Sequence, residues 1–246
     1  MADRQLDAEV PITDWDDDLA LLDAETTRLI DSMSAMSDAQ VTEPSGLPGW
    51  SRGHVLAHLD GNAQGLGRVA RWARDGIERP MYISRDVRDA DVELHAARSI
   101  EAHHQAVSQS ARALRADLGA IDSMKREDVV ILGNGLSVRA GSLARHRLGE
   151  VCVHHADLGL ADYTWRDWPD SMAWHMARLV TRDFAVRGEF PVAAVAWGDD
   201  RLDIVGGDDV LEGSPQALLA WLLGRSAGED LVASSGGPVP AAPTWR

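Results

Sequence analysis

A chain of 246 residues, 45% hydrophobic and 26% charged, has enough apolar surface for two modest cores and reads as globular, not disordered. Its 39 acidic residues outnumber its 24 basic ones, a formal charge of −15 that argues against nucleic acid and against an anionic membrane surface as partners. No apolar run reaches the roughly 18–20 residues that span a bilayer, and residues 1–18 hold no apolar core of leader-peptide length, so a cytoplasmic protein is expected.

In chain order, the first long helix is expected over residues 14–34, where Leu19, Leu22, Thr26 and Leu29 recur at helical spacing and Asp16, Asp17 and Asp18 suit an N-terminus. Pro44 to Gly49 (PSGLPG) reads as a loop. Ser51 then caps a second helix running to about residue 75, with Gly76 as its stop. A third helix is expected between residues 86 and 118. Residues 129–132 and 136–138 read as two strands joined at Asn134-Gly135, and a fourth helix follows over 141–158. Four long helices with one short β excursion imply an antiparallel four-helix bundle.

Beyond residue 163 the pattern changes. A helix over 171–186 precedes short strands near 192–197, 201–205 and 210–212, and Ser214-Pro215 opens a last helix ending near Gly224. The expected class is α+β: a helical bundle over residues 1–163 and a smaller α/β domain over 164–246.

Two pairs of residues carry the chemistry. Glu150 and His154 are four apart on the fourth helix, hence on one face. A carboxylate and an imidazole are standard zinc ligands, and three protein ligands with one open position make a catalytic site. The second helix offers His54 and His58, also four apart, and spacing alone does not choose between them. Solvated polar faces produce the same spacing. There is no His-Glu-x-x-His motif, nucleophile elbow, Walker loop or dinucleotide fingerprint. The single cysteine, Cys152, excludes an internal disulfide and a cysteine-based metal cluster. It falls about 200° around its helix from Glu150, so a thiol used in the chemistry must come from outside the chain.

These segments resemble the mycothiol-dependent maleylpyruvate isomerases, zinc proteins with a DinB-like N-terminal four-helix bundle. The likeness rests on the run from Gly49 to His58 (GWSRGHVLAH) with Asn62-Ala63, and on Pro80 to Ser84 (PMYIS). It continues through Arg147 with the run from Glu150 to His154 (EVCVH) and Asp157-Leu158-Gly159. Gly224-Arg225 and the stretch from Pro240 to Trp245 extend it to the end of the chain. The resemblance implies zinc on His58, Glu150 and His154, mycothiol as thiol cofactor, and Arg225 as a catalytic residue from the second domain. It leaves His54 structural or pocket-lining.

The implied reaction is cis–trans isomerisation of maleylpyruvate to fumarylpyruvate in gentisate degradation: a thiolate adds, the bond rotates, and the thiolate leaves. The implied partners are a small dicarboxylate and mycothiol, with the protein a monomer. Arg225 anchors a carboxylate in this scheme; complementing the end of its own helix is the alternative that needs no ligand. Arg147 is a weaker anchor or a structural ion-pair partner. Asp157 orients His154 or is a helix-end residue, and Trp50 packs at the helix entry. The alternatives are a mycothiol S-transferase acting on electrophiles and a non-catalytic DinB-like metal-binding protein.

Overall fold

A computed structural model describes residues 15–188, 190–204 and 206–244. Asp14, Val205 and Trp245, which the sequence reading assigned to a helix, a strand and a terminal motif, lie outside them. The chain divides into two compact units, residues 1–162 and 163–246.

Four long helices build the first unit: α1 (Trp15–Ser34), α3 (Arg52–Asp75), α5 (Ile100–Gly119) and α6 (Leu143–Asp157), with a single turn, α2 (Asp38–Val41), between the first two. They form a ring in which α3 packs on α5 and α6, and α1 packs on the same two helices. Cross-helix bonds fix the directions. Arg115 bonds Asp23 and Ser34 meets His104, so α1 and α5 run antiparallel. His58 meets Glu150 and Arg147 meets Asn62, so α3 and α6 do too. Arg145 with Asp18 and His155 with Ser32 make α1 and α6 parallel. Gly53 against Ala96 and Arg71 with Asp117 make α3 and α5 parallel. The expected α+β class and helical bundle are present, with two antiparallel and two parallel seams.

The parallel α3–α5 seam needs a return crossing, and here the expected single helix over 86–118 is corrected. It is two helices, α4 (Arg85–His95) and α5, separated at residues 96–99. Ser99 ends the continuity: with extended backbone, its side chain accepts the Ala102 amide and caps α5. A Ser–amide cap of this kind is worth about 1 kcal/mol. Before it, α4 runs back along α3, and Gly53 lets the corner close, since a Cβ there would stand 2.0 Å from the Ala96 carbonyl oxygen. At the other end of α3, Gly76 at φ 74° closes the helix in the left-handed conformation that favours glycine.

The two strands β1 (Val129–Ile131) and β2 (Ser137–Arg139) pair antiparallel, with Val130 opposite Val138, both buried. A 3₁₀ turn over Ala140–Ser142 then leads into α6, two residues later than expected.

The second unit carries α7 (Asp170–Arg187) and α8 (Pro215–Leu222), which pack together. Its four-stranded sheet has the order β4-β3-β5-β6, with β3 (Ala194–Trp197), β4 (Asp200–Asp203), β5 (Val210–Glu212) and β6 (Val232–Ala233). β3 and β5 are parallel and the other pairs antiparallel. The sequence reading missed β6, because two residues carry no alternation to recognise. Trp168, Phe184 and Trp221 fill the core, and the Trp221 indole donates to the Pro240 carbonyl at 2.9 Å. No helix among the described residues is long and apolar enough to cross a membrane.

Candidate metal centre

The loop before α3 is tied to the end of α6, and this tie sets the centre. The Gly46 amide donates to the Asp157 carbonyl at 2.7 Å, and Arg52 Nε donates to the Leu158 carbonyl at 2.7 Å. The first two turns of α3 therefore face the last two turns of α6. Arg147, buried between them, braces the seam by donating to the Leu59 carbonyl at 3.0 Å and to Asn62 Oδ1 at 2.7 Å. It is a cross-brace, and its charge also acts on Glu150. Burial pulls its guanidinium down to about 10, which leaves it charged near neutrality.

On this frame His58, Glu150 and His154 converge, with one ligand atom from each lying within 4.8 Å of the others. His58 Nε2 stands 2.9 Å from Glu150 Oε2, and His154 Nε2 stands 3.6 Å from the same oxygen. The imidazole rings meet edge to face, 4.6 Å between centroids. His154 donates its other nitrogen, Nδ1, to Asp157 Oδ2 at 2.9 Å, which leaves Nε2 aimed inward. Side-chain exposure is 7% at His58 and 18% at His154 but 35% at Glu150, so the cluster opens on its carboxylate side.

The electrostatics suit a cation. Burial pushes the His58 imidazole down to about 4, so near neutrality it is uncharged with a lone pair to offer. Burial opposes the Glu150 charge, but the His58 hydrogen bond and the nearby positive charge outweigh it and hold the carboxyl down at about 2. Two imidazoles and a carboxylate around one open point fit a zinc-type ion.

His54 stands apart, and the structure gives it a local task. Its Nδ1 accepts the Ser51 amide at 3.2 Å while the Ser51 hydroxyl oxygen accepts the His54 amide, a reciprocal cap on α3. Its Nε2 meets Glu93 at 3.4 Å. Trp50 packs over both histidines, its ring centroid 6.1 Å from that of His54 and 5.8 Å from that of His58. Cys152 is fully buried on the far side of α6, its Sγ 3.8 Å from Glu25 Oε2 on α1. In the second unit, Arg225 follows Gly224 just past α8 and donates to the Leu223 carbonyl at 2.6 Å, complementing that helix end.

Two neighbours of the centre escaped the sequence reading as individual residues. Arg88 of α4 donates from Nη2 to His58 Nδ1 at 2.8 Å. The Tyr82 phenol is pushed up from its ordinary value, by burial first and then by the charge of Glu150. Tyr82 lies in the quoted PMYIS run, whereas Arg88 had no signal, because its contact depends on the fold-back of α4.

A model of the mycothiol maleylpyruvate isomerase N-terminal domain matches residues 22–159. Two solved structures, a mycothiol-dependent maleylpyruvate isomerase and a histidine-to-alanine mutant described under the same name, are each 25% identical to this chain. Each comparison covers 95% of this chain and 98% of the other, with a TM-score of 0.84. No curated protein matches the chain. The domain match spans more than half of the sequence and contains all three converging side chains: the chain belongs to the mycothiol maleylpyruvate isomerase family.

Proposed function

We propose that the chain is a zinc- and mycothiol-dependent isomerase converting maleylpyruvate to fumarylpyruvate, with zinc held by His58, Glu150 and His154. The convergence of those three side chains within 4.8 Å, open on one side, carries the reading. The names of the family and of the similar structures support the substrate and the thiol. A cytoplasmic setting and a place in gentisate degradation go with it.

Bound there, zinc and mycothiol supply a thiolate at neutral pH, a nucleophile that can add to the alkene and leave again once the bond has rotated. The residues of the chain prepare for this. Burial keeps His58 uncharged, and Asp157 fixes the His154 tautomer so that this imidazole presents Nε2. Glu150 contributes one negative charge, leaving a loaded centre with a net charge of about +1, which favours an anionic ligand. The only cysteine is turned away from the centre, consistent with an external thiol. Arg225 is the carboxylate-binding cation in this proposal, on the strength of the family resemblance; its planar donor fork suits a carboxylate.

The test is decay of maleylpyruvate with zinc-loaded and chelator-treated protein, each with mycothiol, with glutathione and with no thiol. Turnover confined to zinc-loaded protein with mycothiol is expected. Turnover that ignores the chelator, or its absence under every condition, would overturn the reading. Arg225→Ala should lose isomerisation while retaining zinc.

A further inference from the structure

Arg88 of α4 lies against His58 on the side of its Nδ1. Its Nη2 donates to His58 Nδ1 at 2.8 Å, its Nη1 donates to Asp89 at 2.6 Å, and its Cζ stands 5.8 Å from the Trp50 ring centroid. In this arrangement His58 Nδ1 is an acceptor, and Nε2 carries the hydrogen that points to Glu150 at 2.9 Å.

A metal on Nε2 reverses these roles. The lone pair of Nε2 goes to the cation, so the hydrogen of the neutral ring sits on Nδ1. A guanidinium has five donors and no acceptor, and it then faces an N–H with another N–H. The Arg88–His58 bond and a metal on His58 Nε2 are therefore mutually exclusive for a neutral imidazole.

The displaced guanidinium stays beside the centre on the α4 backbone. Nearby cations are committed elsewhere: Arg68 donates twice to the Met81 carbonyl, at 3.1 and 2.6 Å, and Arg147 braces α3 to α6. The Arg88 side chain is 27% exposed, so it has room to turn towards solvent and an incoming anion.

Resting on the zinc reading above, we propose that Arg88 is a latch: it holds His58 while the centre is empty, is displaced by the metal, and then positions a carboxylate of the anionic substrate. The family assignment alone does not require this, and it gives zinc affinity an unusual sign. A side chain that merely supports His58 helps the metal to bind. A latch competes with it.

The test compares zinc affinity, by competition with a chromogenic chelator, in wild type, Arg88→Met and Arg88→Gln, with thermal melting to confirm folding. Both variants should bind zinc more tightly, by about fivefold or more, because a charge-assisted bond to the empty site and a repelling charge are both removed. With zinc saturating, KM for maleylpyruvate should rise about tenfold or more, with kcat less affected. Unchanged or weaker zinc binding in both folded variants overturns the latch while leaving the metal centre standing. Tighter zinc with unchanged KM overturns the anchoring role. Wild type that takes up no zinc overturns the latch and the metal reading together.

Discussion

Asp157 accepts a hydrogen bond from Nδ1 of His154 at 2.9 Å, and the same residue's carbonyl accepts the Gly46 amide at 2.7 Å. One buried residue thus orients an imidazole at the centre and ties α6 to the loop that starts α3. Asp157→Asn retains the shape but loses the charge that fixes the tautomer. Zinc affinity should fall by about 10–100-fold. Chelator competition measures it, and unchanged affinity would show that Asp157 serves only the helix end.

Glu150→Gln keeps the volume of the side chain but removes the charge facing both imidazoles. Loss of a ligand should exceed the effect at Asp157, with zinc below one equivalent after gel filtration and turnover down by more than about 100-fold. Full zinc occupancy of this variant would remove Glu150 from the ligand set.

Cys152→Ala separates an external thiol from an internal one. The side chain is buried against Glu25, away from the centre. A stability cost of about 1 kcal/mol is expected, with mycothiol-dependent turnover within about twofold of wild type. A folded, zinc-loaded variant without activity would point to Cys152 itself as the thiol.

Gly53→Ala tests the corner that returns α4 along α3. The added Cβ would stand 2.0 Å from a backbone carbonyl, which has no flexible end to move aside. The expected loss is about 2–3 kcal/mol, a Tm lower by roughly 5–10 °C. An unchanged Tm would mean that the corner is looser than its geometry states.

Stability should also fall in acid through His103, which is fully buried and lies with Nε2 3.4 Å from the Ala96 carbonyl. Burial pushes its pKa below the ordinary imidazole value of 6.5, so the unfolded chain takes up a proton before the folded one does. Its contribution is complete above 6.5 and is lost as pH falls through 6.5 towards the lower folded value. His58 acts in the same direction in metal-free protein. Urea midpoints of metal-free His103→Gln should depend less on pH than those of wild type between about pH 7.5 and about pH 5. Equal slopes would rule out this contribution.

Local patterns in the sequence are strong where one helix decides the matter. Ser51 and Gly76 bound α3 because a capping hydroxyl and a left-handed glycine act within a turn of their own residues. The pairing of Glu150 with His154 follows from a four-residue step on α6. The same logic failed at residues 96–99: the alanine-rich stretch has helical propensity on both sides, and Ser99 reads as a cap only once α4 is seen to fold back. β6 was illegible for the opposite reason, since its two residues are defined by their partner β5 alone.

The sequence by itself determined the stretches of α1, α3 and α6, the shared face of Glu150 and His154, and the turning away of Cys152, because each depends on the rotation of one helix about its own axis. Spacing left His54 and His58 equivalent and the family resemblance implied His58; only the tertiary structure shows that His58 meets the pair while His54 caps its own helix, and that Arg88 lies on His58. Those outcomes depend on the relative rotation and direction of different helices, set by bonds such as Arg52 to Leu158 and Arg147 to Asn62 between residues 106 and 85 apart in the chain. No four-residue spacing can encode them.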